Sequence, residues 1–344
     1  MKTVRAALLV AAACLAGPAL AGDATPAKAL FGAKGAPAAL APVSIGSYAK
    51  GCLGGGEALP IDGPTWQVMR LSRNRNWGHP VLIDFAERLA ARASAAAGWP
   101  GLLFGDLAQP RGGPMVSGHA SHQIGLDIDI WLNPSPARRL TAEERENISA
   151  VSMLGADKRS VDPKIWTRGH LEVIKAAATD PAVARIFVNP AIKKALCEGA
   201  GKDRDWLRVV RPWYGHHYHF HVRLDCPASS GNCVAQKPPP AGDGCGAELD
   251  AWLKPPPKKP AKPAAPKKPA KPAKPKPEIT MNDLPAACRQ VLAAPGKDGV
   301  VPTAYAPAPA MPAEVPLPKA PPASESRLPD PDVPLPVPSP ARRS

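Results

Sequence analysis

Between Ser47 and Trp252 the chain switches between helical and strand-like hydrophobic spacing. Pro80 to Ala97 (PVLIDFAERLAARASAAA) places apolar residues at helical intervals among strong helix formers and predicts a helix. Thr141, with Glu144 three residues on, forms a capping box that predicts a second helix start. His170 to Ala178 reads as an amphipathic helix and Pro190 to Leu196 as a short one, with strands expected at Gly101–Leu107 and Ala184–Val188. Two further stretches alternate with period two. Leu126, Ile128, Ile130 and Leu132 share one face of a strand, and Asp127, Asp129 and Trp131 share the other. In the second, His217, His219, His221 and Arg223 oppose Tyr218, Phe220, Val222 and Leu224. Helices and strands mix without regular βα alternation. The expected fold is therefore α+β, with a central antiparallel sheet in a single domain.

Composition divides the chain around this region. A basic start, an apolar run from Ala6 to Leu20 and the small-x-small site Ala19-Leu20-Ala21 are the three parts of a cleavable signal peptide, so residues 1–21 are expected to leave on export. Residues 22–45 are rich in Ala, Pro and Gly and read as a flexible lead-in. All eight tryptophans fall within 46–253, the expected globular domain, and about 200 residues suffice for a substantial core. Residues 254–278 form a Lys/Pro-rich linker, 279–294 an ordered-looking island containing Cys288, and 295–344 a Pro/Ala-rich tail expected to be disordered.

The net charge of +14 suggests a nucleic-acid partner until its distribution is considered. Nine lysines lie between Lys254 and Lys276 with no aromatic residue among them, so a stacking platform for single strands is absent. An exported cationic tract fits anionic envelope polymers better, or serves as a self-repelling spacer, and no stable membrane insertion is expected once the signal is removed. Seven cysteines become six after signal cleavage, an even number that implies disulfides in an exported chain. Cys226 and Cys233 are close enough to close a small local loop; spacing alone leaves the other pairings open.

The two polar strand faces carry the candidate chemistry. Two acids on one side of an apolar strand need water, a partner or a cation. Four histidines between His216 and His221, out of eight in the whole chain, exceed what packing would select. Imidazole and carboxylate are zinc ligands, and two histidines with one carboxylate leave a fourth position for water. His122 and Asp129 are the ligand candidates on the first stretch. Asp127 reads as a supporting acid and His217 as a solvent-facing residue at the strand start. No H-E-x-x-H helix is present.

These residues resemble a known family. His122-x₂-Gly125-x₃-Asp129 followed by His219-x-His221 is similar to the LAS-type metallopeptidases, and the longer strings Gly118 to Ile130 and Arg211-Pro212-Trp213 look like the penicillin-insensitive murein endopeptidases. The resemblance covers most of residues 44–288. It implies a LAS-type domain with one Zn²⁺ held by His122, Asp129 and His221, His119 as an additional metal position, and His219 beside the reacting water. His219 is then the expected base or oxyanion stabiliser, with His216 orienting it or binding substrate. Asp157 matches an acid of the family's second metal position, but Ser160 stands where its histidine would be, which argues against a second metal. The implied disulfides are Cys52–Cys288, Cys197–Cys245 and Cys226–Cys233. The implied activity is periplasmic hydrolysis of D-alanyl–diaminopimelyl cross-links in peptidoglycan, insensitive to β-lactams. A D,D-carboxypeptidase or dipeptidase trimming stem peptides, and a non-catalytic zinc-dependent wall-binding module, are the alternatives.

Overall fold

A computed structural model describes residues 25–254 and 278–298. The expected signal peptide, and all but the ends of the linker and the start of the tail, lie outside these residues. Along the chain come α1 (Ala27–Gly32), the hairpin β1 (Val43–Ser47) and β2 (Lys50–Gly54), then β3 (Glu57–Ala58), β4 (Asp62–Gly63), β5 (Trp66–Val68) and β6 (Trp77–Gly78). Next are α2 (Pro80–Ala97), β7 (Leu102–Phe104), β8 (Asp127–Trp131), α3 (Ala142–Asn147) and α4 (Arg168–Ala178). They are followed by β9 (Val183–Val188), α5 (Pro190–Gly199), β10 (Val210–Pro212), β11 (His219–Leu224), α6 (Ala247–Leu253) and α7 (Ala287–Ala293).

α2, α3 and α5 start where a side chain caps the first turn. α2 starts at His79, whose ring accepts a bond from the Val81 N–H, with Pro80 in the first turn; it stops at Gly98 in the left-handed conformation. The capping box at Thr141 is present: its hydroxyl accepts from Glu144 N–H while the Glu144 carboxylate accepts from Thr141 N–H. α2 and α4 pack together over the main core.

Seven strands form one mixed sheet in the order β10-β9-β11-β8-β7-β5-β4. Its centre, β9-β11-β8-β7, is antiparallel as expected. β10 on β9 and β5 on β7 run parallel, which alternation within single strands does not reveal. On the apolar face Ile128, Ile130, Phe220 and Val222 are fully buried. Each such side chain contributes about 1.5–3 kcal/mol, enough to hold β8 against β11 and so fix what the opposite face presents.

Where a flexible lead-in was expected, residues 27–45 build a second, smaller core. Ala27, Phe31, Ala38 and Ile45 pack with Met281, Leu284, Cys288 and Val291. The lead-in's low-complexity composition hides this because the partners lie far away in sequence. Arg111 grips the returning segment, donating to the carbonyls of Val291, Leu292 and Ala294. The three disulfides are Cys52–Cys288, Cys197–Cys245 and Cys226–Cys233. Among the described residues no helix is long and apolar enough to cross a membrane.

Candidate metal centre

The pairing of β8 with β11 sets the site. His221 lies opposite Asp129, His219 opposite Trp131 and Arg223 opposite Asp127, so the polar faces of both strands meet. The loop before β8 delivers His119 and His122. His122 has φ 65, left-handed backbone that a non-glycine residue adopts at a cost of about 1–3 kcal/mol, a strain that collects at functional sites. Its N–H donates to Asp127 Oδ2 at 2.9 Å, which locks the turn. Gly125 (φ 71) closes the loop; a Cβ there would lie 2.9 Å from His79 N and 2.7 Å from Leu53 Cδ2. Asp127 also takes the Arg223 guanidinium, at 2.8 Å from Nε and 3.3 Å from Nη2, so its oxygens are engaged as a support.

Asp129 is the hub. His119 Nε2 lies 3.3 Å from its Oδ2, while His221 Nδ1, His122 Nε2 and His219 Nε2 lie 3.1, 3.5 and 3.6 Å from its Oδ1. The ligand atoms of His119, His122 and Asp129 fall within 4.8 Å of one another, a group able to hold a metal ion. His221, expected as the third ligand, is outside that mutual group and reaches it through Asp129. Its Nε2 is 3.1 Å from Asp127 Oδ1 but without hydrogen-bond geometry.

The test of fit is hydrogen bonding. Both ring nitrogens of His122, Nε2 of His219 and His221, and Oδ1 of Asp129 are buried without a hydrogen-bond partner. Leaving such groups unpaired costs about 1–3 kcal/mol each, more when charged, and a cation would relieve several at once. The electrostatics agree. Burial depresses the imidazolium form of His122 and His219. Burial also opposes ionisation of Asp129, yet the surrounding imidazoles hold it well below the usual carboxylate range. At His221 burial is outweighed by Asp127 and Asp129, which raise it to about 9.

The other expected residues separate. His216 is half-buried, its ring 5.0 Å from that of His219 and its Nδ1 3.2 Å from the Tyr214 carbonyl. Burial, with His219 and His221 nearby, lowers it to about 4. His217 precedes β11 and bonds Ser152 Oγ at 2.9 Å, away from the cluster. Asp157 sits in an exposed turn, its Oδ1 accepting from Arg159 N–H, Ser160 N–H and Ser160 Oγ at 2.9, 3.0 and 2.9 Å.

Asp106 escaped the sequence reading. It follows β7, and its carboxylate meets His119 at 3.2 Å, Arg75 at 2.8 Å and Arg73 at 3.1 Å. Burial opposes ionisation, but the bond to His119 and the charges of Arg75 and Arg73 lower Asp106 to about 2. Its backbone also brackets the hub: Asp129 N–H donates to the Asp106 carbonyl, and Gly105 N–H to the Asp129 carbonyl. The available signal was a single acid inside the apolar run Gly101–Leu107. A cavity of about 300 Å³ opens over this cluster.

Residues 44–293 match the penicillin-insensitive murein endopeptidase family. The chain is similar to proteins of that name from several bacteria. One from Haemophilus influenzae is 47% identical over 255 residues, 74% of this chain and 83% of that protein. One from Yersinia pestis bv. Antiqua is 49% identical over 227 residues, 66% of this chain and 82% of that protein. One from Klebsiella pneumoniae is 49% identical over 213 residues, 62% of this chain and 77% of that protein.

Proposed function

Because this chain belongs to the penicillin-insensitive murein endopeptidase family, we propose that it is an exported zinc peptidase that hydrolyses D-alanyl–diaminopimelyl cross-links in peptidoglycan. The observation that carries the metal is the set of buried imidazole and carboxylate atoms without hydrogen bonds, gathered around Asp129. His122, Asp129 and His221 would hold the ion, with His119, steadied by Asp106, as a further donor. The two imidazoles of His122 and His221 with the Asp129 carboxylate suit zinc and leave a position for water. When bound, zinc supplies Lewis acidity, lowering the pKa of a coordinated water towards about 7 and polarising a carbonyl.

The chain's own residues supply proton transfer and positioning. His219 is unprotonated at neutral pH because burial disfavours its charged form, so its Nε2 can accept a proton from the attacking water. The same nitrogen can return that proton to the leaving amine. His216, also neutral, stands beside it and orients it or the substrate. Ser121 is not the nucleophile in this scheme, and without an acyl-serine β-lactams have no group to trap. The 1–21 segment would direct export to the periplasm. The lysine-rich 254–278 segment, a linker between the 46–253 domain and the returning 279–294 segment, would add attraction to anionic wall polymers.

The test is digestion of purified cross-linked muropeptide dimers. Release of monomers, blocked by a chelator and restored by Zn²⁺, is the expected result. Loss of terminal D-alanine with the dimers intact would instead indicate a D,D-carboxypeptidase, and metal-dependent wall binding without hydrolysis a binding module.

A further inference from the structure

The cavity over the metal cluster has a wall that the proton-transfer scheme does not use. Arg70 and Arg73 line it, together with Asp129, His119 and His219. Arg73 ends one short 3-10 turn, Leu71–Arg73, and Arg70 precedes it; the turn is bracketed by Arg70 at φ 57 and Asn74 at φ 49. Left-handed backbone at two non-glycine residues persists only where the surroundings over-determine it, and it collects at ligand clamps. Here the turn is pinned from several sides. Ser72 donates through N–H and Oγ to Glu146 at 2.8 and 2.9 Å. Asn74 accepts from Trp77 Nε1 at 2.8 Å. Arg70 donates to the carbonyls of Arg145 and Ile148, and its guanidinium lies 5.4 Å from the centre of the Trp131 ring.

Leaving aside Asp129, which faces the histidine cluster, the charges on this wall do not cancel. Asp106 is already matched by buried Arg75 at 2.8 Å and touched by His119 at 3.2 Å. Arg73 adds a contact to Asp106 at 3.1 Å while its side chain stays 46% exposed, so its positive charge is surplus. Arg70 bonds neutral carbonyls, which orient its cation without neutralising it. Two immobilised guanidiniums facing a cavity beside a hydrolytic centre are built to receive an anion, and a planar fork matches a carboxylate better than a lysine would.

We propose that Arg70 and Arg73 form a carboxylate subsite that selects the substrate by the free carboxyl group next to the scissile amide nitrogen. This rests on the cross-link reading above. In diaminopimelate each amine-bearing carbon also bears a carboxyl, so the residue on the leaving side of the cut carries a carboxylate on the carbon that holds the amide nitrogen. Binding it would set which amide reaches the cluster and would distinguish a free carboxylate from its amidated form.

The test uses the zinc-loaded enzyme and two cross-linked peptides that differ only at that group, carboxylate or carboxamide. The wild type should prefer the carboxylate by about 10- to 100-fold in kcat/KM, chiefly through KM, as a charge-assisted hydrogen bond predicts. Arg73→Gln, and separately Arg70→Gln, should bring that ratio towards one with metal content unchanged, and Arg73→Lys should restore only part of it. Equal rates on the two peptides in the wild type would overturn the subsite and leave the peptidase standing. So would variants that lose both substrates in proportion with the ratio intact. Failure of the wild type to cut either peptide would overturn the cross-link reading and the subsite together.

Discussion

Asp129 and Asp157 are both aspartates that sequence patterns offer to a metal, and their surroundings differ in every respect that matters for one. Asp129 lies at the paired centre of the sheet, 4% exposed, with four imidazoles within 3.6 Å of its carboxylate. Its Oδ1 has no hydrogen bond. Asp157 is in an exposed turn, and Ser160 Oγ and two backbone N–H groups already satisfy its carboxylate. Residue type is therefore a weak guide. A cation is called for where buried polar atoms lack partners, and an acid wrapped by N–H donors makes no such demand.

The contrast can be broken most forcefully at its hub. Asp129→Ala should strip the metal and reduce muropeptide cleavage on the order of 10³-fold or more, as measured by elemental analysis and product release. A variant that keeps both would remove Asp129 from the centre. His219→Ala should keep the metal and lower kcat by about 10²–10⁴-fold, the range for a lost acid–base group. Metal loss in step with activity would make His219 a ligand instead.

A buried histidine away from the cluster sharpens the comparison because its ring is satisfied. His170 Nδ1 accepts from Thr167 N–H at 3.0 Å, and the ring stacks on Trp166 and meets Trp99 edge-on. Burial lowers it from 6.5 to about 4. Between those values the unfolded chain binds more protons, so this contribution to stability is present above pH 6.5 and is lost as pH falls towards 4. The difference in urea-unfolding free energy between wild type and His170→Gln should shrink across that window, and a pH-independent difference would contradict it. The smallest effect belongs to Asp157→Ala, which should leave one metal per chain and cleavage within about twofold, since it breaks only exposed turn bonds. A fall in metal stoichiometry would restore a second site.

Much of this was legible in the sequence because it is local. Period-two alternation put Asp127 and Asp129 on one face and His219 and His221 on another, and helical spacing together with the Thr141 box located α2 and α3. The backbone twist at His122 was not legible, since it depends on a bond to Asp127 that exists only once the loop has closed. Nor was the alignment of His221 with Asp129, which belongs to a strand pair and not to either strand. Asp106, Arg70 and Arg73 carry no motif; parallel pairing of β5 with β7 brings their segments together. The 22–45 segment misled because Phe31 finds its core about 250 residues downstream.

That last arrangement bears on the order in which the protein is made. α1 and the β1–β2 hairpin are among the first parts of the described chain to be synthesised, yet their core is closed by Met281, Leu284, Cys288 and Val291, which are among the last. Cys52 waits for a partner 236 residues later, and Arg111 for carbonyls that do not exist until α7 has emerged. A chain still being synthesised thus keeps an unfinished end beside the loop that carries its histidines. A hydrolase of this family arranged in this way is assembled last where it was begun first, with the Cys52–Cys288 bond joining the two.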